Sequence, residues 1–193
     1  MAGRKKEFKA DRPYSSWLSR LAPTKLQQKS ILKWTCYGLV LLALAVIQDV
    51  ICARNRVMGA TTDLVPCGIF LFCLLEGAEN GGVFALVSSL IYVFSGSAPG
   101  TYAIVLITFI SLAITMFRQA FLQKGLSTAI ICTAAGMLLY ELSIFIMGLI
   151  QGVTIWSRLG VFLLTAALSL IAAPILYPIG MSIGSIGGES WKE

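Results

Sequence analysis

Histidine is absent from this 193-residue chain, and charged residues make up only 12% of it. The first absence removes the commonest general base near neutral pH and the commonest metal ligand. The second excludes an ordinary water-soluble domain, in which about a quarter of residues are charged. Cysteine is sparse and unpaired: Cys36, Cys52, Cys67, Cys73 and Cys132 are odd in number and form no Cys-x-x-Cys motif. They indicate neither a zinc nor a redox site and read as small apolar packers. Strict apolar/polar alternation, the mark of a membrane β-barrel, is also missing. With few paired acids and no histidine, a multispan enzyme is disfavoured, and no catalytic residue, metal or cofactor is expected.

What fills the chain instead is apolar sequence, 57% of all residues. Each segment in lipid must satisfy its own backbone hydrogen bonds, so long apolar runs become helices. The fold class expected is all-α, a polytopic membrane protein of about six transmembrane helices. Leu32 to Ile51, Leu126 to Ile150 and Leu159 to Ile179 each reach the roughly 20 residues needed to cross a ~30 Å hydrocarbon core. Tyr102 to Phe117 is shorter and uses Thr101 and Arg118 as interfacial flanks, with Arg118 snorkelling toward the headgroups. Met58 to Leu75 and Gly81 to Gly96 lie near the lower length limit, either as two crossings, the reading favoured, or as a re-entrant hairpin.

Lys and Arg set the orientation. The run from Arg4 through Lys33 is strongly basic, whereas the loops assigned outside hold Arg54, Arg56 and Arg158. The positive-inside rule therefore places both termini in the cytoplasm, with Arg118 and Lys124 in an inside loop. The division expected is a basic cytoplasmic segment over 1–30, a six-helix membrane domain over 31–184 and a short tail over 185–193. The net charge of +6 reads as attraction to anionic lipid at the N-terminus rather than to nucleic acid. Trp17, Leu18 and Leu21 either form an interfacial turn of helix or belong to a disordered basic tail.

The remaining chemistry lies in carboxylates and turn residues. Glu141, near the middle of the fifth span in Leu139-Tyr140-Glu141-Leu142, sits where an acidic residue costs about 2.5 kcal/mol or more. Without a Lys or Arg at comparable depth, it reads as a protonated carboxyl hydrogen-bonded to a Tyr, Ser or Thr; the alternative is a relay or ligand group. Asp63 opens the second span as an N-cap, and Pro66 falls at its third helical position, where no intrahelical bond is lost. Glu76 and Glu79 bracket a short turn at a hydrated helix end. Gly77, Gly81 and Gly82 allow a tight turn or close helix approach, and Pro99-Gly100 is a turn signal. Gly148/Gly152, Gly180/Gly184 and Gly184/Gly188 have the small-xxx-small spacing of helix contacts.

Taken together, Asp63-Leu64-Val65-Pro66, Leu75-Glu76-Gly77, Gly81-Gly82-Val83-Phe84, Phe94-Ser95-Gly96, Pro99-Gly100-Thr101-Tyr102-Ala103, Leu138-Leu139-Tyr140-Glu141 and Ala173-Pro174-Ile175-Leu176-Tyr177-Pro178 give a chain that resembles the rod-shape-determining MreD family of bacteria. The resemblance covers about Leu32 to Ile183. It implies a noncatalytic cytoplasmic-membrane component of the cell-elongation machinery. Its partners would be a MreC-like protein and, indirectly, MreB and the RodA and penicillin-binding synthases. Two departures stand out: Ile91-Tyr92-Val93-Phe94 lacks the acid that the family often carries there, and Asp63 precedes Pro66 where the family's order is Pro-Asp. A bundle of this kind also looks like the substrate-binding S component of an energy-coupling-factor vitamin transporter. That family's Ala-x-x-x-Ala pattern is not met in the first helix, where Ala43 is followed by Ile47 and Ala45 by Asp49.

Overall fold

The computed structural model describes residues 25–186 apart from 53, 56–57 and 123–124. Over that stretch the protein is all-α, with seven α-helices: α1 (Lys25–Ile47), α2 (Leu64–Glu76), α3 (Ala78–Phe94), α4 (Tyr102–Phe121), α5 (Leu126–Ile150), α6 (Leu159–Leu170) and α7 (Ala173–Ile186). A π-helical turn, Gln48–Cys52, prolongs α1, and a 3₁₀ turn, Trp156–Arg158, precedes α6. The interfacial turn around Trp17, Lys124 and the end of the C-terminal tail lie outside the described residues.

Helix α2 is the centre of the bundle. Its sequence, Leu-Val-Pro-Cys-Gly-Ile-Phe-Leu-Phe-Cys-Leu-Leu, is apolar on every side, which is the pattern of a helix enclosed by others. Each residue from Leu64 to Leu75 is buried, and all six other helices pack against it. The outer helices turn large apolar side chains away from this core, among them Leu39, Phe94, Phe109, Ile131 and Ile175. In water such a surface would be unfavourable; against lipid tails it is expected.

Contacts along α2 fix the relative directions of the first three helices. Near its start, the Val65 amide donates to Gln48 Oε1 at 2.9 Å; at its other end, Glu76 meets Lys33 of α1. Helix α1 and α2 are therefore antiparallel. The chain reverses at Gly77, whose φ of +90° suits glycine, and α3 returns until Tyr92 reaches Gln48 and Ser97 reaches Asp49. The reversal is tight. A β-carbon on Gly81 would stand 2.6 Å from the Cys73 carbonyl oxygen, so the two helices approach there only because Gly81 has none. Gly82 allows a similar approach to Leu112 of α4. Gly77, Gly81 and Gly82 thus do what their sequence context indicates.

Several boundaries differ from expectation. Three segments are long and apolar enough to cross a membrane, namely Gln28–Cys52, Tyr102–Phe121 and Leu126–Ile150, and α6 with α7 make a fourth if the bent pair is one span. The run from Met58 to Leu75 yields a helix only from Leu64: Met58 and Gly59 turn at positive φ, and Asp63 has a non-helical backbone. At 13 residues α2 is about 20 Å long, shorter than a ~30 Å core. The run from Leu159 to Ile179 is not one helix but two, meeting at 44°. The cause lies in Pro174, which has no amide to offer Leu170 and whose ring crowds that carbonyl. The chain closes the gap with short bonds, Ile171 N–H to Leu168 O and Ala172 N–H to Ser169 O. Pro66, by contrast, sits at the third position of α2 as expected.

Candidate functional site

Two polar clusters occupy opposite ends of the bundle. At the end where α2 begins, the connections before α2, after α3 and after α5 come together with the upper part of α5 and α6. They enclose a cavity of about 330 Å³ lined by Asp63, Glu141, Arg158, Thr61, Ser97, Thr154 and Thr165, among others. Asp63 and Glu141 both line this cavity and are each other's electrostatic neighbours. Glu141 is 2% exposed, and its Oε1 has no hydrogen-bond partner among the described residues. Tyr92 and Tyr140 are the pair's electrostatic neighbours on the core side.

The surrounding residues hold this arrangement in place. Asp63 stands at the N-cap position of α2 but makes no side-chain cap. Its backbone amide donates to Ser169 Oγ at 2.7 Å, and Ser169 in turn donates to the Thr165 carbonyl. Gln48 caps the helix instead, accepting from the Val65 amide, while its Nε2 lies 3.4 Å from the Tyr92 hydroxyl. The expected N-cap role of Asp63 is thus taken by a side chain from α1's extension, and the Asp63 carboxyl is left to face Glu141. Ser97 ties the α3–α4 turn to Asp49, 2.8 Å and 2.9 Å from its two carboxylate oxygens. Pro99 also lines the cavity, whereas Gly100 packs against the ring of Tyr102.

At the other end, Lys33 of α1 and Glu76 of α2 form an ion pair at 2.5 Å, with side chains 9% and 3% exposed. The Tyr37 hydroxyl donates to Glu76 Oε1 at 2.7 Å and lies 3.2 Å from the Gly180 carbonyl on α7. This corrects the reading of Glu76 as one of two ordinary turn acids: Glu79 is exposed, but the Glu76 side chain is enclosed and paired. Gly180 lets α7 approach Leu75 and Phe72, which is why its backbone oxygen reaches Tyr37. Gly184 adjoins the same cluster, whereas Gly148 contacts Thr154 in its own following loop. Arg118 does not snorkel: it is 6% exposed, with Cys73 of α2 and Cys132 of α5 as its electrostatic neighbours.

A third feature runs along the side. Helices α1 and α3 diverge to leave a groove of about 640 Å³, lined almost wholly by apolar groups from Trp34 through Leu41, Ala45 and Val46 on α1 and from Val83 through Val87 and Ile91 on α3. Gly38 opens onto it with no atom within 4 Å of where a β-carbon would be.

The described residues contain no group of three His, Cys, Asp or Glu side chains that could hold a metal ion. The five cysteines are free, with Cys67, Cys73 and Cys132 buried. The chain matches no protein-family model, no curated protein and no solved structure. Of the expected positions, the fold brings Asp63 and Glu141 together and gathers Glu76, Gly77 and Gly81 around the α2–α3 reversal; Pro174 stands apart at the α6–α7 bend. Sequence reasoning missed Lys33, Tyr37 and Gln48. One signal was available: Lys33 interrupts an apolar run, and Tyr37 follows it at a spacing that puts both on one helix face.

Proposed function

We propose that this chain is a noncatalytic, multi-pass component of the bacterial rod-elongation machinery. It binds a MreC-like protein within the cytoplasmic membrane and so helps to position peptidoglycan synthesis, with MreB and the RodA and penicillin-binding synthases as indirect partners. The observation that carries this reading is the lateral groove between α1 and α3. Its wall on α1 and the turn that prolongs it runs from Trp34 to Asp49, roughly 22 Å, enough to receive about four turns of a partner's transmembrane helix. Gly38, Ala45 and Ser88 on its walls are small residues of the kind that let helix backbones approach in lipid.

In this reading the chain crosses six times, with both termini cytoplasmic and the basic N-terminal segment on anionic lipid. Support for counting α2 and α3 as crossings comes from their partners: each runs between the level of Lys33 and that of Gln48 and Asp49, which are fifteen or more residues apart on α1 and its extension. A re-entrant hairpin would turn halfway. The vitamin-transporter reading draws on the polar cavity, but about 330 Å³ is at the lower limit for a small-molecule site.

Filling the groove tests the proposal. Gly38→Phe places a ring in open space, so the bundle should assemble normally while recovery of a MreC-like protein in a mild-detergent pull-down falls and cells lose rod shape. Undiminished recovery from the filled groove would refute it, and tight co-purification of a vitamin would favour the transporter.

A further inference from the structure

The cavity at the start of α2 is not used by the partner groove, and its chemistry is specific. Its lining brings together two carboxyl groups, Asp63 and Glu141, and Arg158, an exposed cation. Between them lie the threonines at 61, 154 and 165 and Ser97, groups able to donate or accept. Glu141 Oε1 is buried and without a partner. A buried carboxylate oxygen left unsatisfied is costly, and native structures almost always provide such a group with a donor.

We propose that this cavity binds a primary ammonium group tethered to an anion, with the ammonium donating to Glu141 and Asp63 and the anion meeting Arg158. A divalent cation is a poorer fit, because only two carboxyls converge and hard cations take six or more oxygen ligands at short range. An ammonium needs only about three acceptors, which Glu141 Oε1 and the Asp63 carboxyl can supply with a neighbouring hydroxyl. The same chemistry occurs in a free amino acid and in an ethanolamine phospholipid headgroup, and the cavity is open enough for either to enter. A quaternary ammonium lacks donors and cannot satisfy Glu141 Oε1.

The test uses the full chain purified in detergent, titrated separately with alanine and with glycerophosphoethanolamine while binding heat and thermal unfolding are followed. Glycerophosphocholine serves as the donor-free control. Binding of either amine but not of the choline compound is the expected result. Whichever binds more tightly identifies the source, a free amino acid or a lipid headgroup. Glu141→Gln should weaken that binding by about tenfold or more, through loss of a charge-assisted hydrogen bond. Arg158→Gln, at an exposed position, should weaken it without altering the unfolding temperature of the ligand-free protein. The proposal is overturned if neither amine binds at about 10 mM, well above the range of a specific site. It is equally overturned if the choline compound binds as well as the amines, or if both variants bind like the parent.

Discussion

Removing one member of the Lys33–Glu76 pair should be far more damaging than removing both. At 2.5 Å, with an effective dielectric constant of about 20, the two charges attract by roughly 6–7 kcal/mol. Desolvating each ion costs several kcal/mol, so the intact pair contributes little net stability. Lys33→Met leaves Glu76 charged at 3% exposure, with Tyr37 as its remaining donor, and the expected loss is about 3–5 kcal/mol. Glu76→Met strands the Lys33 ammonium and should cost a similar amount. In the double variant no buried charge remains, and the Tyr37 hydroxyl can turn to the Gly180 carbonyl, already 3.2 Å away. That protein should lie within about 1.5 kcal/mol of the parent, giving a coupling energy of roughly 3 kcal/mol or more. Reversible unfolding in mixed micelles with rising dodecyl sulfate measures all four proteins. Additive losses would refute the reasoning, because they would mean that each side chain acts alone.

Two further outcomes follow from close geometry. Gly81→Ala drives a methyl group against the Cys73 carbonyl, a backbone atom that cannot rotate away, and should destabilise the bundle by about 1–3 kcal/mol in the same unfolding assay. Gln48→Ala removes the acceptor for the Val65 amide and should cost about 0.5–2 kcal/mol, whereas Asp63→Asn removes no cap and should leave α2's amide protection against hydrogen exchange unchanged.

What could be read from the residues was governed by distance along the chain. Helices α1, α4 and α5 follow from long, predominantly apolar runs, since lipid leaves such runs no alternative to the helix. The short pair α2 and α3 was legible in its glycines and in Pro66, which act on neighbouring residues. The break between α6 and α7 carried a signal, Pro174, that was masked by continuous apolarity on both sides. Pairings across the fold were another matter. Asp63 and Glu141 are separated by three whole helices and the first part of α5, and each alone looks like a cap or an isolated buried acid. Lys33 reads with the basic residues that orient the chain, and Glu76 with the turn, because nothing along the sequence sets α1 antiparallel to α2. The inward turn of Arg118 likewise depends on which helices flank it.

The enclosure of α2 gives the protein an internal clock for its own opening. Cys67 and Cys73 on that helix are wholly buried and Cys132 nearly so, while Cys36 and Cys52 are partly exposed. A membrane-permeant alkylating reagent meets two thiols in the closed bundle and all five only after helices part. Intact mass therefore reads the fraction opened directly, by counting adducts on native cysteines without any introduced label. Because all six neighbours touch α2, adducts on Cys67 and Cys73 mark loss of the whole assembly, not fraying of one helix.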